Sequence, residues 1–324
     1  MFVTVIIPTY NRYESLKQSL RALAEQDYPK DQFEVIVVDD GSKDNTAEIV
    51  HEPLPYPLKY IRQANQGATV ARNRAADEAR GELLVFLDDD IAVVPGFLKA
   101  FAQAHQTPRV VAVGNLQPVA RQEMSIFEKI YGEATATPAS PDGQSLVPVG
   151  YMDLLTGMSS VRRADFFEIG KLLDLIGDGR VAWGDVDFGY RAMKLGFCFL
   201  RCMDAIGYHD DYSIRDFVKC AQRWERTSES AVKLFAAYPE IRPSIAMFVD
   251  KEPIAWGKDS AGMVARKTLR QVFSTRPVIW ALQNTALLFE KILPNRLVLG
   301  SLYRWTIGGY IFRGYRSGLN KYGS

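Results

Sequence analysis

The chain has 324 residues, 47% of them hydrophobic and 24% charged, with a formal net charge of +1. That length and balance exclude a disordered or fibrous chain and leave room for a sizeable core in one large domain or two. Three cysteines and three scattered histidines exclude a disulfide framework, a cysteine-rich zinc site and a multi-histidine metal site, and they suit a reducing, cytoplasmic setting.

Strand and helix signals alternate through the first hundred residues. Val3–Pro8 is a β-branched run with neither a basic start nor a long apolar stretch, so no secretory leader is expected. Helical spacing follows over Glu14–Glu25 through Leu16, Leu20 and Leu23. Phe33–Val38 predicts a second strand, Leu58–Ile61 a third, Thr69–Arg80 a helix and Leu83–Leu87 a fourth strand. Pro95–Ala104 then predicts a helix and Val110–Val113 a strand. Strands alternating with helices of this length imply βαβ units and a parallel sheet, an α/β fold.

From Ala134 to Gly150 the chain turns polar and Pro/Gly-rich, which predicts a long loop of the kind that often covers a site. Beyond Ser213 it reads as mostly helical. Val278–Phe289 is too short to span a bilayer, and Leu297–Phe312 is interrupted by Arg304, so no transmembrane helix is expected. From Lys258 onward 11 basic residues face two acids, while the preceding 257 residues hold 28 basic and 36 acidic ones. A basic, aromatic-rich tail behind an acidic body suggests an anionic surface as partner, a membrane rather than nucleic acid, for which no motif appears; the alternative is that its apolar positions pack on the body and leave the arginines in solvent.

The most informative stretch is Leu83-Leu84-Val85-Phe86-Leu87-Asp88-Asp89-Asp90. A buried parallel strand ends there, and ligands of open α/β sheets sit at such carboxyl ends. Adjacent carboxylates repel by roughly 1 kcal/mol per pair in water and more when desolvated. A hard cation on substrate phosphates, Mn²⁺ or Mg²⁺, relieves that cost.

Other strand ends carry weaker signals. Pro8, Thr9, Tyr10 and Arg12 follow the first strand and can hold a base and a pyrophosphate. Asp40 ends the second strand, where it can accept from a base or a ribose. Gln66-Gly67 and Arg72 open a helix, and Arg72 can meet phosphate or solvent. In Trp183-Gly184-Asp185-Val186-Asp187, Asp185 would lie at a helix N-terminus, kept ionised and suited to act as general base. Asp187 would point elsewhere and pair with Arg191 at i+4. His209 can complete a metal site begun by a carboxylate.

Taken in order, Pro8-Thr9-Tyr10-Asn11-Arg12, Val37-Val38-Asp39-Asp40-Gly41-Ser42, Asn65-Gln66-Gly67 with Ala71-Arg72-Asn73, and Phe86-Leu87-Asp88-Asp89-Asp90 resemble the successive signatures of family-2 glycosyltransferases. Thr156-Gly157-Met158-Ser159-Ser160 with Arg162-Arg163, then Asp185-Val186-Asp187 and His209, are similar to that family's acceptor-half motifs. The resemblance implies a GT-A fold: a mostly parallel sheet flanked by helices, over residues 1–212, with a nucleotide-sugar half to about 115 and an acceptor half beyond. A helical, basic extension would fill 213–324.

It further implies transfer of one sugar, with inversion, from a nucleotide-diphosphate sugar to a glycan or lipid-linked acceptor. Asp40 would bind base or ribose, Asp88 ribose or sugar hydroxyls with Asp89 beside it, and Asp90 the metal with His209. Asp185 would be the catalytic base. Gly157, Met158, Trp183, Arg223 and Trp224 would face the acceptor. Gly184 stands where the family's pair usually has Glu, which leaves Asp187 as second candidate for base. Cys220-Ala221-Gln222-Arg223-Trp224 keeps the Arg-Trp of the processive synthases but has Cys for their leading Gln, which favours single additions. The expected location is cytoplasmic, peripheral on the inner face of the membrane. Two alternatives stay open: a sugar-nucleotide nucleotidyltransferase, and an inactive membrane-associated scaffold.

Overall fold

The computed structural model describes residues 1–175 and 183–323. In chain order its main elements are β1 (Val3–Thr9), α1 (Tyr13–Ala24), β2 (Phe33–Asp39), β3 (Leu58–Arg62), α2 (Ala68–Glu78), β4 (Leu83–Leu87), β5 (Ile91–Val93), α3 (Phe97–Ala104), β6 (Val110–Pro118), α4 (Ile126–Thr135), β7 (Leu146–Pro148), β8 (Met158–Arg162), α5 (Arg163–Ile169), α6 (Gly184–Lys194), β9 (Cys198–His209), α7 (Phe217–Ala237), α8 (Ala261–Phe273), α9 (Arg276–Ile292) and α10 (Arg296–Tyr322). The chain divides into two compact units, one of residues 1–119 and 136–210, the other of 120–135 and 211–324.

The first unit is built on one sheet in the order β3-β2-β1-β4-β8-β6-β9-β5, with β7 added against β9. Strands β3, β2, β1 and β4 run parallel, whereas β8 is antiparallel to both β4 and β6. The central strands are buried on both faces, and their period of two sorts side chains between two cores. Val3, Val5 and Ile7 of β1 pack with Phe33, Val35 and Val37 of β2 and with Leu16, Leu20 and Leu23 of α1. Ile6, Ile36 and Val38 face the other way, onto Ala71, Ala75 and Ala76 of α2. Each large aliphatic side chain buried in this way contributes about 1.5–3 kcal/mol.

Several boundaries differ from the sequence expectation. Helix α3 starts at Phe97 because the amide of Phe97 closes a turn onto Val94, which leaves Pro95 outside. Strand β9 runs past the strand-like stretch Phe197–Arg201 of the sequence to His209, because it pairs with β6 up to Arg201 and again from Ile206, and with β5 at its end. The expected loop over Ala134–Gly150 contains β7, which pairs with β9 through Leu146–Cys202 and Val147–Arg201.

The second unit is helical. Residues 120–135, grouped by sequence with the acceptor half, cluster here: Phe127 of α4 packs on Phe217 of α7 and Tyr303 of α10, with ring centroids 5.1 Å away in both cases. Helix α7 is capped by Asp216, whose carboxylate accepts from the amides of Val218 and Lys219. Helix α10 lies along α7 at close range. A β-carbon at Gly314 would overlap the Glu225 carbonyl, and one at Gly318 the Glu229 carbonyl. Ion pairs Arg313–Glu225 (3.3 Å) and Lys321–Glu229 (2.6 Å) flank that contact.

The tail therefore divides. Leu299, Tyr303, Tyr310, Ile311 and Tyr315 are buried in the unit, while Trp280, Leu288, Ile292, Leu293 and Leu297 stand exposed. Among the described residues no helix is long and apolar enough to cross a membrane.

Candidate active site

Strands β1, β2 and β4 run in one direction, so Thr9, Asp40 and Asp88 all lie at the same edge of the sheet. Antiparallel β8 begins at this edge, because Met158 pairs with Leu87. The edge is stitched by polar contacts. Asn11, in the left-handed region at φ 53°, accepts from the Lys43 amide at 2.7 Å, while its own amide donates to Ser42 Oγ at 2.8 Å. The loop after β1 is thereby fixed to the loop after β2. Pro8 is not part of that loop. It is buried within β1 opposite Val38, so it forms the wall behind the site and offers no contact surface. Tyr10, by contrast, is exposed.

Asp40 is buried and its carboxylate is already used. It accepts from Gln63 Nε2 (2.8 Å) and from the amides of Gln66 (2.9 Å) and Gly67 (2.7 Å). Gly67 has φ 89°, a conformation that disfavours any side chain, and it caps α2. Asp40 thus shapes the start of α2 and does not present a free carboxylate to a base. Gln63 carries no signal in the sequence; only the fold brings it to Asp40.

The three aspartates after β4 take three different partners. Asp88, the most exposed of them, pairs with the buried guanidinium of Arg72 at 2.5 Å. Asp89 accepts from Thr9 Oγ1 (2.7 Å) and Arg12 Nη1 (3.0 Å). Burial pushes its carboxyl up to about 6 against the pull of Arg12, with Asp90 adding to the rise. Both oxygens of Asp89 face the protein, so it braces Thr9 and Arg12 rather than touching a donor. Asp90 Oδ2 accepts from Arg12 at 2.7 Å, and its Oδ1 lies 3.2 Å from His209 Nε2. Burial works to raise the Asp90 carboxyl, yet His209 and Arg12 together hold it below the usual carboxylate range.

Arg12 and Arg72 therefore already relieve the repulsion that the sequence alone would assign to a divalent cation. The case for a metal rests instead on Asp90 and His209. Pairing of Ile91 with His209, and the Asp210 amide on the Asp90 carbonyl (3.0 Å), bring the two side chains together. Neighbouring ligands of one octahedral cation at about 2.1 Å stand roughly 3 Å apart, so a carboxylate oxygen and an imidazole nitrogen at 3.2 Å suit a shared ion. Among the described residues no cluster of three or more such ligands occurs, and Mg²⁺-type ions commonly take the rest from phosphates and water.

The base candidate sits on the next element. Asp185 is in the first turn of α6, and Thr156 Oγ1 donates to its Oδ1 at 2.5 Å. It keeps a partly accessible edge while protein surrounds the rest, and that burial raises its pKa; Thr156 and Arg72 pull down and Asp88 pushes up. Asp185, Arg72 and Asp88 thus form one electrostatic group. Trp183, in the left-handed region at φ 67°, turns the chain into α6.

Two sequence assignments are corrected here. Asp187 is fully buried and Arg191 grips its Oδ2 through Nη2 (2.6 Å) and Nε (3.1 Å), while the same guanidinium donates to the Ile169 and Lys171 carbonyls. It is a strut for α6 and cannot serve as an alternative base. Met158 is 1% exposed and fills the space left by Gly114 and Gly207, so it belongs to the core and not to an acceptor surface. Gly157 does border the site, against Asp88. Arg223 and Trp224 lie in the helical unit, where Arg223 bonds Ser213 and the Trp224 indole donates to Tyr131 at 2.7 Å.

The sequence model described as glycosyl transferase family 2 matches residues 4–166, half of the chain, and covers every element that carries Thr9, Asp40, Arg72 and the three aspartates. The chain belongs to that family. Glycosyltransferase AglE of Haloferax volcanii is 41% identical over 95 residues, 28% of this chain and 30% of its own. The poly(ribitol-phosphate) β-N-acetylglucosaminyltransferase TarS of Staphylococcus aureus is 37% identical over 113 residues, 33% of this chain and 20% of its own. The chain thus spans less than a third of the length of these curated relatives. Among solved structures, a Pyrobaculum calidifontis mannosyltransferase in complex with GDP-Man and Mn²⁺ has a TM-score of 0.56 at 20% identity, over 98% of this chain and 87% of its own. Residues 1–349 of TarS give 0.54 at 21% identity, over 98% and 92%. These likenesses establish a GT-A type fold for this family-2 chain.

Proposed function

We propose that the chain is an inverting, metal-dependent glycosyltransferase that moves one sugar from a nucleotide-diphosphate sugar to a hydroxyl of a glycan or lipid-linked precursor. The observation that carries this reading is the placement of Asp185: a carboxylate at a helix N-terminus, oriented by Thr156 and electrostatically joined to Arg72 and Asp88. Nucleotide-sugars bound to TarS and to the mannosyltransferase support the donor class.

Asp185 takes the proton of the acceptor hydroxyl as that oxygen attacks the anomeric carbon from the face opposite the diphosphate. One base and one displacement give inversion without a covalent sugar intermediate. Arg12 and Arg72 are the cations at hand for the diphosphate, since each can trade an aspartate oxygen for a phosphate oxygen. Asp88 is the carboxylate left to receive donor hydroxyls. Asp90 and His209 would hold Mn²⁺ or Mg²⁺, which when bound offsets charge on the departing diphosphate. The exposed stripe of α9 and the start of α10 supports attachment to an anionic membrane surface, on the cytoplasmic side.

The test is release of nucleoside diphosphate from a panel of nucleotide-sugars with Mn²⁺ present. Release by the native chain and its loss in Asp185→Asn are expected. Release undiminished by that substitution would sink the assignment of the base, and nucleotide triphosphate consumption with sugar phosphate would favour the nucleotidyltransferase alternative.

A further inference from the structure

The helical unit contains a cleft of about 620 Å³, within the roughly 300–1,000 Å³ of small-molecule sites. Its walls are largely apolar, with Ile130, Leu297, Ile307 and Ile311 among them, and no acidic residue belongs to the lining among the described residues. Four basic side chains reach it: Lys251, Arg270, Arg296 and Arg304.

Their pairing is uneven. Lys251 Nζ lies 2.7 Å from Asp250 Oδ1, and Arg270 donates to Asp250 Oδ2 at 3.1 and 3.2 Å, so two largely buried cations share one carboxylate. Arg296 pairs with Glu133. Arg304 contacts Ser301 Oγ at 3.4 Å and has no carboxylate partner among the described residues. Four cations thus meet two carboxylates. The Arg270 guanidinium stacks over the Trp305 ring, 4.9 Å from its centroid, and its Nη1 is buried without a hydrogen-bond acceptor. A buried donor left unmade is costly, and desolvation also works against the charge on Lys251 and lowers its pKa. Arg270 Nη1 lies against Gly308, one turn along α10 from Arg304, so both guanidiniums serve the same stretch of the cleft.

We propose that this cleft binds the phosphate monoester of a long-chain alcohol, phosphate at Arg270, Lys251 and Arg304, hydrocarbon along Ile130, Ile307 and Ile311. A phosphate monoester carries a charge of about −1.5 to −2, which matches the surplus of cations. Its oxygens supply acceptors beside Arg270 and Arg304 that the acid-free lining does not, and the chain covers wall that neither inorganic phosphate nor a nucleotide would. Binding here is independent of the transfer reaction proposed above and is measured with no sugar nucleotide present.

Isothermal calorimetry of the full chain with dodecyl phosphate, below its micelle-forming concentration, is the test. Saturable binding is expected, with dodecanol and inorganic phosphate each weaker by about tenfold or more, since charged hydrogen bonds and apolar burial are lost in turn. Arg304→Gln, an exposed position, should weaken binding severalfold. Gly300→Leu should abolish it at unchanged unfolding temperature, because a β-carbon at Gly300 has only Ile130 Cδ1 at 3.7 Å and the side chain would grow into the cleft. Equal affinity for dodecanol, equal affinity for inorganic phosphate, non-saturable uptake, or unaltered binding by folded Gly300→Leu would each overturn the proposal.

Discussion

Asp88 sits directly against the backbone of Gly157: its amide donates to the Gly157 carbonyl at 2.8 Å, and its carboxylate occupies the space that a β-carbon at 157 would need. The glycine is therefore a condition for the position of Asp88, and through Asp88 for Arg72. Gly157→Ala should cost about 1–3 kcal/mol of stability through overpacking. It should lower activity by more than that loss accounts for, because the displaced group is Asp88. Wild-type nucleotide-sugar affinity and turnover in a folded Gly157→Ala protein would show that the place of Asp88 does not matter.

Asp185 and Asp187 should separate cleanly. Asp185→Asn should keep the fold and donor affinity and reduce turnover by roughly 10²–10⁴-fold. Because burial raises the Asp185 carboxyl, the acid limb of kcat/KM should fall above the ordinary carboxylate value of about 4, with activity lost as pH drops through it. Asp187→Asn should instead destabilise by about 3–5 kcal/mol, the usual cost of leaving one partner of a buried ion pair alone. Denaturant unfolding and steady-state kinetics on both variants decide the matter; the reverse pattern would reinstate Asp187.

Asp90→Asn and His209→Ala should each weaken Mn²⁺-dependent binding of nucleoside diphosphate in a protein that still folds, with a lower unfolding temperature for Asp90→Asn because Arg12 and His209 lose a buried partner. Calorimetry with and without EDTA is the check. Native binding that ignores EDTA would remove the metal from the reading of this pair.

His105 offers a stability measurement away from the site. It is fully buried with Nε2 2.9 Å from Ser160 Oγ, and burial together with Arg162 lowers its pKa to about 4. The unfolded chain takes up a proton near pH 6.5 and the folded one only near 4, so the contribution is complete above 6.5 and lost as pH falls toward 4. At most about 3 kcal/mol is involved. His105→Gln should lack this share of the acid destabilisation. Identical pH dependence of the two proteins would contradict it.

Trp280, Leu288, Ile292 and Leu297 are among the exposed apolar positions of the tail, Trp280 at 67% and Leu297 at 83%. Leu288→Glu with Ile292→Glu should abolish sedimentation with anionic liposomes without unfolding the protein. Undiminished, salt-sensitive sedimentation of this double variant would locate any membrane contact elsewhere.

Much of the first unit was legible because its signals are local. The alternation of Val3, Val5 and Ile7 with Ile6 announces a doubly buried strand, and Asp187 with Arg191 is an i,i+4 pair. What escaped is what depends on partners far away in the chain. Met158 reads as part of a motif at an acceptor surface until Gly114 and Gly207 are seen to make room for it. Asp40 reads as a free carboxylate until Gln63 and the amides of Gln66 and Gly67 close on it. The tail's composition announced a surface helix, yet Gly314 and Gly318 place one face of α10 on the α7 backbone.

That backbone contact has a bearing on how the chain is made. Ser317 bonds Glu229 across 88 residues, so α7 leaves the ribosome well before the helix that covers it. Until α10 emerges, the face of α7 carrying Ala221, Val232 and Phe235 has no lid, and the second unit closes only once α10 has been made. Chains stalled before Gly314 should be cut by protease within α7, while those stalled after Tyr322 has cleared the exit tunnel should resist.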